Sequence, residues 1–308
     1  MEPTEQQPKL TQHDDYWAGE FYAMASPCQI LMDVADKVLA EKLVTLAQQE
    51  ALRIQNKFSR YRDDNIIFEI NNARGKPIEV DAETASLLDY ANQCYELSDG
   101  SFDVTSGVLR EVWTFDCSNR LPSPQDVKKR LNRIGWDKVK WQSPLITLPK
   151  GMELDLGGIG KEYAVDRCAM LLAHESDASV LVNYGGDLCA TGERRNGQGW
   201  IVGVEDPDNV LEASPIEKQR HSIEEFELVR GGIATSGDTR KYLLKDGIRY
   251  SHILDPRTGW PVRDAPHSIT VVANSCTEAG ILATMAMLHG EDAESFLEEQ
   301  AITYWCLR

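Results

Sequence analysis

The sequence lacks a long apolar run, a paired set of cysteines and a balance of positive charge, and each lack excludes a class of protein. No stretch reaches the roughly 20 apolar residues of a membrane span, so no spanning helix is expected. Against 49 Asp and Glu stand 32 Lys and Arg, a net charge of −17, which repels nucleic acid and anionic lipid surfaces. A polyanionic ligand then has to meet locally arranged donors or a cation. The seven cysteines, Cys28, Cys94, Cys117, Cys168, Cys189, Cys276 and Cys306, are odd in number and show no CxxC spacing. They read as buried free thiols in a reducing compartment, not as a zinc site or disulfide framework. Residues 1–24 hold Gln, Glu, Asp and Lys where a secretory signal carries a basic stretch and then an apolar one. The expected location is therefore the cytoplasm, with the periplasm as the alternative if the start is truncated. There is no tandem repeat, no linker composition, no GxxxxGK[ST] and no strict GxGxxG with its downstream acid.

What is present is an ordinary globular composition, 42% hydrophobic and 26% charged over 308 residues, enough for one large or two intimately packed domains. Residues 1–18 are expected to be a flexible polar segment, and 19–308 a single domain. Strand patterns run through Phe21–Met24 into Cys28–Met32, leaving Met24 at a strand end, and recur at 139–148, 153–156, 179–184, 200–204 and 268–272. Helices are expected at 35–57, with Leu39, Leu43, Leu46, Leu52 and Ile54 on the apolar side, then up to Asn72, at 81–98 behind an Asp81 cap, at 165–174 and at 276–290. Trp113, Phe115 and Trp136 read as packing anchors. Residues 99–107 are too rich in Gly, Ser and Asp to be core, 206–226 read as an acidic surface excursion, and Gly231–Asp238 as a glycine turn with two hydroxyls and a carboxylate.

Two stretches carry chemistry. Ser251-His252-Ile253-Leu254-Asp255-Pro256-Arg257-Thr258-Gly259-Trp260-Pro261 places an imidazole three residues before a carboxylate, then stops the strand with a Pro–Gly turn. A histidine at such a strand end is a candidate base near neutral pH, and equally a residue that satisfies backbone groups beside a turn. Glu153 to Ala164 reads as strand, glycine-rich turn and helix start. That arrangement aims backbone N–H groups at a phosphate, or else allows a tight helix–strand crossing.

Six patterns occur in one order. They are Phe58-Ser59-x-Tyr61 with Asn71; Gly100-x-Phe102-Asp103-x-Thr105; Asp155-Leu156-Gly157-Gly158-Ile159-Gly160-Lys161 with Tyr163-Ala164 and Asp166; Gly185-Gly186-Asp187; Ala234-Thr235-Ser236-Gly237-Asp238; and His252-x-x-Asp255-Pro256-x-Thr258-Gly259-x-Pro261. Together they resemble the ApbE family of FAD:protein FMN transferases, over about Met24 to Gly290. The resemblance implies an α+β fold, two intimately packed α/β subdomains with mixed sheets around one flavin site. It implies an enzyme that splits FAD with help from Mg²⁺, attaches FMN to a Thr or Ser hydroxyl of an acceptor flavoprotein and releases AMP. The protein is expected as a monomer or homodimer.

Under that resemblance His252 is the base and Asp255 shapes its loop. Gly157, Gly158 and Lys161 serve the diphosphate. Met24, Tyr61, Phe102 and Tyr163 wall the rings, and Ser101, Asp103, Ser236, Gly237, Asp238, Leu254 and Ala283 complete the cofactor contacts. The Gly160 carbonyl and Thr284 hydroxyl would ligate Mg²⁺, with an Asp four residues before Thr284 in most members. Here that position is Gly280. Glu278 is no substitute, because six helical residues turn it about 240° from Thr284, so the site is expected to bind Mg²⁺ weakly unless FAD phosphates and another acid such as Asp238 compensate. Ala25-Ser26 stands where a Gly-Thr pair is usual, and Thr239 where an aromatic is common. Two alternatives follow from Gly280: an FAD-binding protein that stores or delivers flavin, and a slow FAD pyrophosphatase.

Overall fold

The computed structural model describes residues 7–115, 120–205, 222–238 and 242–308. Cys117, residues 206–221 of the acidic excursion, and Thr239 lie outside them. The centre is an eight-stranded antiparallel sheet, in the order β1 (Lys9–Gln12), β2 (Trp17–Ala23), β3 (Ser26–Met32), β7 (Val180–Tyr184), β8 (Asp187–Ala190), β11 (Gly231–Gly237), β16 (Ser268–Ala273) and β17 (Thr303–Leu307). Four smaller pairings surround it: β4 (Ile78–Glu79) with β6 (Leu145–Thr147) and β5 (Lys140–Gln142); β9 (Trp200–Glu205) with β10 (Ser222–Leu228); β12 (Tyr242–Lys245) with β13 (Ile248–Ser251); and β14 (Leu254–Asp255) with β15 (Trp260–Pro261).

Alternation along the strands decides what covers each face. On β7, Val180, Val182 and Tyr184 point into the main core, while Leu181 joins Ala190, Ile233, Trp200, Val202 and Leu228 beneath the β9–β10 ribbon. The main core packs against helices α1 (Lys37–Phe58), α5 (Gly160–Glu175) and α6 (Cys276–His289). The remaining helices are α2 (Ile66–Asn72), α3 (Ala82–Leu97), α4 (Pro124–Leu131) and α7 (Ala293–Glu299). Side-chain caps start several of them: Asp36 for α1, Asn65 for α2, Asp81 for α3 as the sequence indicates, and Ser275 for α6. A third cluster, built on Val108, Leu109, Trp113, Ile134 and Leu243, lies under the His252 loop. The expected α+β fold is thus present, and among the described residues the parallel component is one isolated bridge between Ser106 and Glu153.

Several expectations need correction. Residues 9–12, within the polar N-terminal stretch, form an edge strand on β2, paired on one side only, where a polar sequence is suited. Residues 153–156 form no strand. Instead Asn71 brackets Leu154 from the side, donating to its carbonyl at 3.0 Å and accepting its N–H at 2.7 Å, while the Asp155 N–H donates to the Val104 carbonyl at 2.8 Å. Gly231–Gly237 is not a turn but an interior strand. Its glycines mark close approach, since a Cβ on Gly232 would lie 2.0 Å from the Cys276 N of α6. Residues 101–105, expected outside the core, are buried.

Candidate active site

The His252 loop is built by local turn bonding. β13 ends at Ser251, whose Oγ accepts the Ile253 N–H at 3.1 Å. The backbone therefore folds around His252 at the strand end, the place its sequence implies. Its half-buried ring meets Phe115 edge-on with centroids 6.2 Å apart, and Phe115 stacks on the buried Trp113. Trp113 Nε1 in turn donates to the Gly259 carbonyl at 2.8 Å, fixing the far end of the loop. Asp255 holds the loop from inside. Its carboxylate accepts the Arg257 N–H at 2.8 Å and Nε at 3.0 Å, and its carbonyl accepts the Gly259 N–H at 2.7 Å. Asp255 is therefore a positioning residue. Leu254 is half-buried over the cluster below, which makes it support for the loop.

A second wall is the start of α5. Ile159 is its N-cap and its side chain carries no oxygen, so the first-turn N–H groups gain no side-chain acceptor from it. The exposed Gly157 donates its N–H to Asp155 Oδ1 at 2.9 Å, and Asp155 pairs with Arg60. A Cβ on Gly158 would lie 3.3 Å from Phe102 Cε2, which brings the buried Phe102 against the glycine turn. Tyr61 leaves its ring 81% exposed, under the Arg60 guanidinium 4.9 Å from its centroid.

The loop at 99–103 lies between these walls. With Pro256 and Arg257 it lines a cleft of about 250 Å³. Ser101 Oγ is buried without a hydrogen-bond partner among the described residues, an unmet group of the kind a ligand satisfies. Asp103 is committed instead to the fold, accepting from the Thr105 N–H at 2.7 Å, Thr105 Oγ1 at 2.7 Å and the Trp136 N–H at 3.0 Å. Burial raises its carboxyl above the ordinary range despite those donors.

The acidic and basic groups at the α5–α6 contact are tightly grouped. Lys161 Nζ lies 2.6 Å from Asp187 Oδ2. Burial alone would depress the ammonium, but the Asp187 and Glu162 carboxylates outweigh it and raise its pKa, so Lys161 stays cationic. Glu162 projects toward α6, where a Cβ on Gly280 would lie 2.6 Å from its Cγ. Burial first, and Asp187 second, push the Glu162 carboxyl up to about 8. One turn beyond Gly280, Thr284 Oγ1 donates to Ser236 Oγ at 3.3 Å. Among the described residues no three His, Cys, Asp or Glu side chains form a metal cage.

Other expected contacts serve the fold. Asp238 is ion-paired with Arg249, with Nε at 3.0 Å, and lies 3.5 Å from His267 Nδ1. Glu278 is used in a capping box at the start of α6, with the Asn274 N–H 3.3 Å from Oε2, so it too is spoken for. Ala283 is fully buried in the core, and Gly237 permits the approach of the His267 carbonyl, 2.5 Å from where its Cβ would sit. Tyr163 packs edge-on to Phe58 and donates its hydroxyl to Glu83 at 2.9 Å. Met24 turns the β2–β3 hairpin, its N–H donating to Gln55 Oε1 at 2.5 Å. Sequence reasoning gave no individual role to Arg60, Asp187 or Glu162. Glu162 carries a readable signal, because it lies three and seven residues before the buried Val165 and Ala169, a charge on the apolar stripe of α5.

The ApbE family model matches residues 24–305. The chain belongs to the ApbE family. An FAD:protein FMN transferase of Vibrio cholerae is 31% identical over 245 residues, 78% of this chain and 71% of that protein. One from Haemophilus influenzae is 30% identical over 253 residues, covering 78% and 70%. Among solved structures, the ApbE protein of Thermotoga maritima superposes with a TM-score of 0.81 at 30% identity, covering 94% of each chain. The flavinyl transferase ApbE of Pseudomonas stutzeri gives 0.82 at 26% identity over 99% of this chain and 93% of that one.

Proposed function

We propose that this ApbE-family chain is an FAD:protein FMN transferase: it takes FAD as donor, joins FMN through a phosphoester to a Thr or Ser hydroxyl of an acceptor flavoprotein, and releases AMP. The observation that carries the reading is the family match across residues 24–305, which spans every loop of the site. His252 takes the proton of the acceptor hydroxyl. The hydroxyl oxygen bonds the phosphorus on the FMN side, the diphosphate bridge breaks, and AMP leaves with the bridging oxygen. First-turn N–H groups of α5 and the Lys161 ammonium face the anionic diphosphate. The exposed Tyr61 ring offers a surface for the flat rings of FAD.

Mg²⁺ fits the residues present. The Gly160 carbonyl and Thr284 Oγ1 are oxygen donors, and Glu162 Oε2, unpartnered among the described residues and beside Gly280, adds a carboxyl oxygen that a bound cation would hold ionised. When bound, the ion neutralises charge on the diphosphate. A test is to mix the protein with FAD, Mg²⁺ and an acceptor flavoprotein domain, then measure the acceptor by denaturing mass spectrometry. The wild type adds the mass of FMN, and His252→Ala loses at least about 100-fold in rate while still binding FAD. Transfer by His252→Ala at the wild-type rate rejects the assigned base.

One observation favours a second reading, an FAD-binding protein without transfer chemistry: Gly280 has no side chain where the resemblance implies an Asp. Mg²⁺-dependent release of AMP from FAD separates the two, since the transferase produces it and a storage protein does not. AMP and free FMN formed without any acceptor would instead mark a slow pyrophosphatase.

A further inference from the structure

We infer that Glu162 supplies the carboxylate of a divalent-cation site between α5 and α6, taking the part left open by Gly280. The inference rests on the transferase reading and assigns its metal site to residues of this chain. Four positions lie on the two helices that meet there. Gly280 and Thr284 are four residues apart and share one face of α6, while Glu162 follows Gly160 by two residues in the first turn of α5. The Glu162 side chain occupies the volume a residue at 280 would fill, with Oε1 only 3.2 Å from the ideal Cβ position. Any side chain at 280 would collide with it, so Glu162 in this pose requires Gly280.

The other acids at this contact are already engaged, Asp187 through an ion pair and the Thr235 N–H at 3.3 Å, although its Oδ2, like Glu162 Oε2, makes no hydrogen bond among the described residues. Asp166 accepts the Cys276 N–H at 2.8 Å and the Thr277 N–H at 2.8 Å, closing the start of α6. Asp187 holds Lys161, and Glu278 caps its own helix. Glu162 Oε2 has no hydrogen-bond partner among the described residues. A buried carboxylate oxygen without a donor is costly, and a cation removes the cost. A magnesium ion is usually held by one or two carboxylates, with substrate phosphates and water completing the shell, so one glutamate with Thr284 and the Gly160 carbonyl is a sufficient protein share.

The test uses the full-length protein with FAD bound and Mn²⁺ as the probe, titrated by electron paramagnetic resonance, with FAD affinity and melting temperature measured in parallel. The wild type takes up one Mn²⁺, and saturating Mg²⁺ raises its melting temperature. Glu162→Gln keeps its FAD affinity and loses at least about tenfold in Mn²⁺ affinity, and Mg²⁺ no longer raises its melting temperature. Combining Glu162→Gly with Gly280→Asp returns the carboxylate to α6 and restores Mn²⁺ binding. Glu162→Gln that binds Mn²⁺ like the wild type overturns the assignment and leaves the transferase reading standing. Wild type that binds FAD yet takes up no Mn²⁺ and releases no AMP overturns both.

Discussion

Met24 and Ala25 turn the β2–β3 hairpin with φ of 53° and 56°, the two positive angles of a type I′ loop. Left-handed backbone costs a residue with a Cβ about 1–2 kcal/mol, and Ala25 has no polar side chain to offset it. Ala25→Gly is therefore expected to stabilise the protein by about 1 kcal/mol, read as a rise in the urea midpoint at unchanged slope. At this scale the sequence was legible where a residue shapes its own neighbourhood. His252 falls at the end of β13 and Asp255 inside its turn, because both follow from bonds within a few residues. It was illegible where the partner is remote. Nothing local reveals that Glu162 meets Gly280, or that Asp238 is taken up by Arg249 and His267.

Among the elements, α1 shows how a helix reads one way in sequence and packs another. Periodicity singles out Leu39, Leu43, Leu46, Leu52 and Ile54, yet the fully buried face is Ala40, Leu43, Val44, Ala47, Ala51 and Ile54. Small residues let α1 lie close on the sheet, and Gly19 of β2 completes the fit, since a Cβ there would stand 2.2 Å from Val44 Cγ2. Gly19→Ala is expected to destabilise by about 1–3 kcal/mol through overpacking, measured by chemical denaturation. A second junction is electrostatic. Glu83 at the start of α3 receives Arg53 and Lys57 from α1, with Arg53 Nη2 at 2.6 Å and Lys57 Nζ at 2.6 Å, and the Tyr163 hydroxyl from α5. Hydrogen bonds from Arg53 above all lower its carboxyl to about 2. A depressed carboxylate stabilises fully above its unfolded pKa of about 4.3, and that share fades as pH falls toward 2. The gap in urea midpoint between wild type and Glu83→Gln is thus expected to be full at pH 7 and to shrink across about pH 4 to 2. An equal gap at both ends of that range contradicts the assignment.

For the whole molecule, the sheet and its covering helices were largely readable, because β7, β16 and α6 are apolar runs of ordinary length bounded by turn residues. The edge strand β1 and the interior strand β11 were not, one being too polar and the other too glycine-rich for strand patterns to register. On the proposed reading, the acidic whole, with its net charge of −17, leaves FAD to be met by local groups: the α5 start, Lys161 and a cation at Glu162. That arrangement is the central claim. It is tested most directly by incubating the purified protein with FAD and an acceptor flavoprotein domain, with and without Mg²⁺, and counting AMP released and FMN attached by chromatography and mass spectrometry. The account predicts one AMP for each FMN attached, only when Mg²⁺ is present. FAD recovered intact from its complex with the protein, with Mg²⁺ and acceptor both in excess, contradicts it.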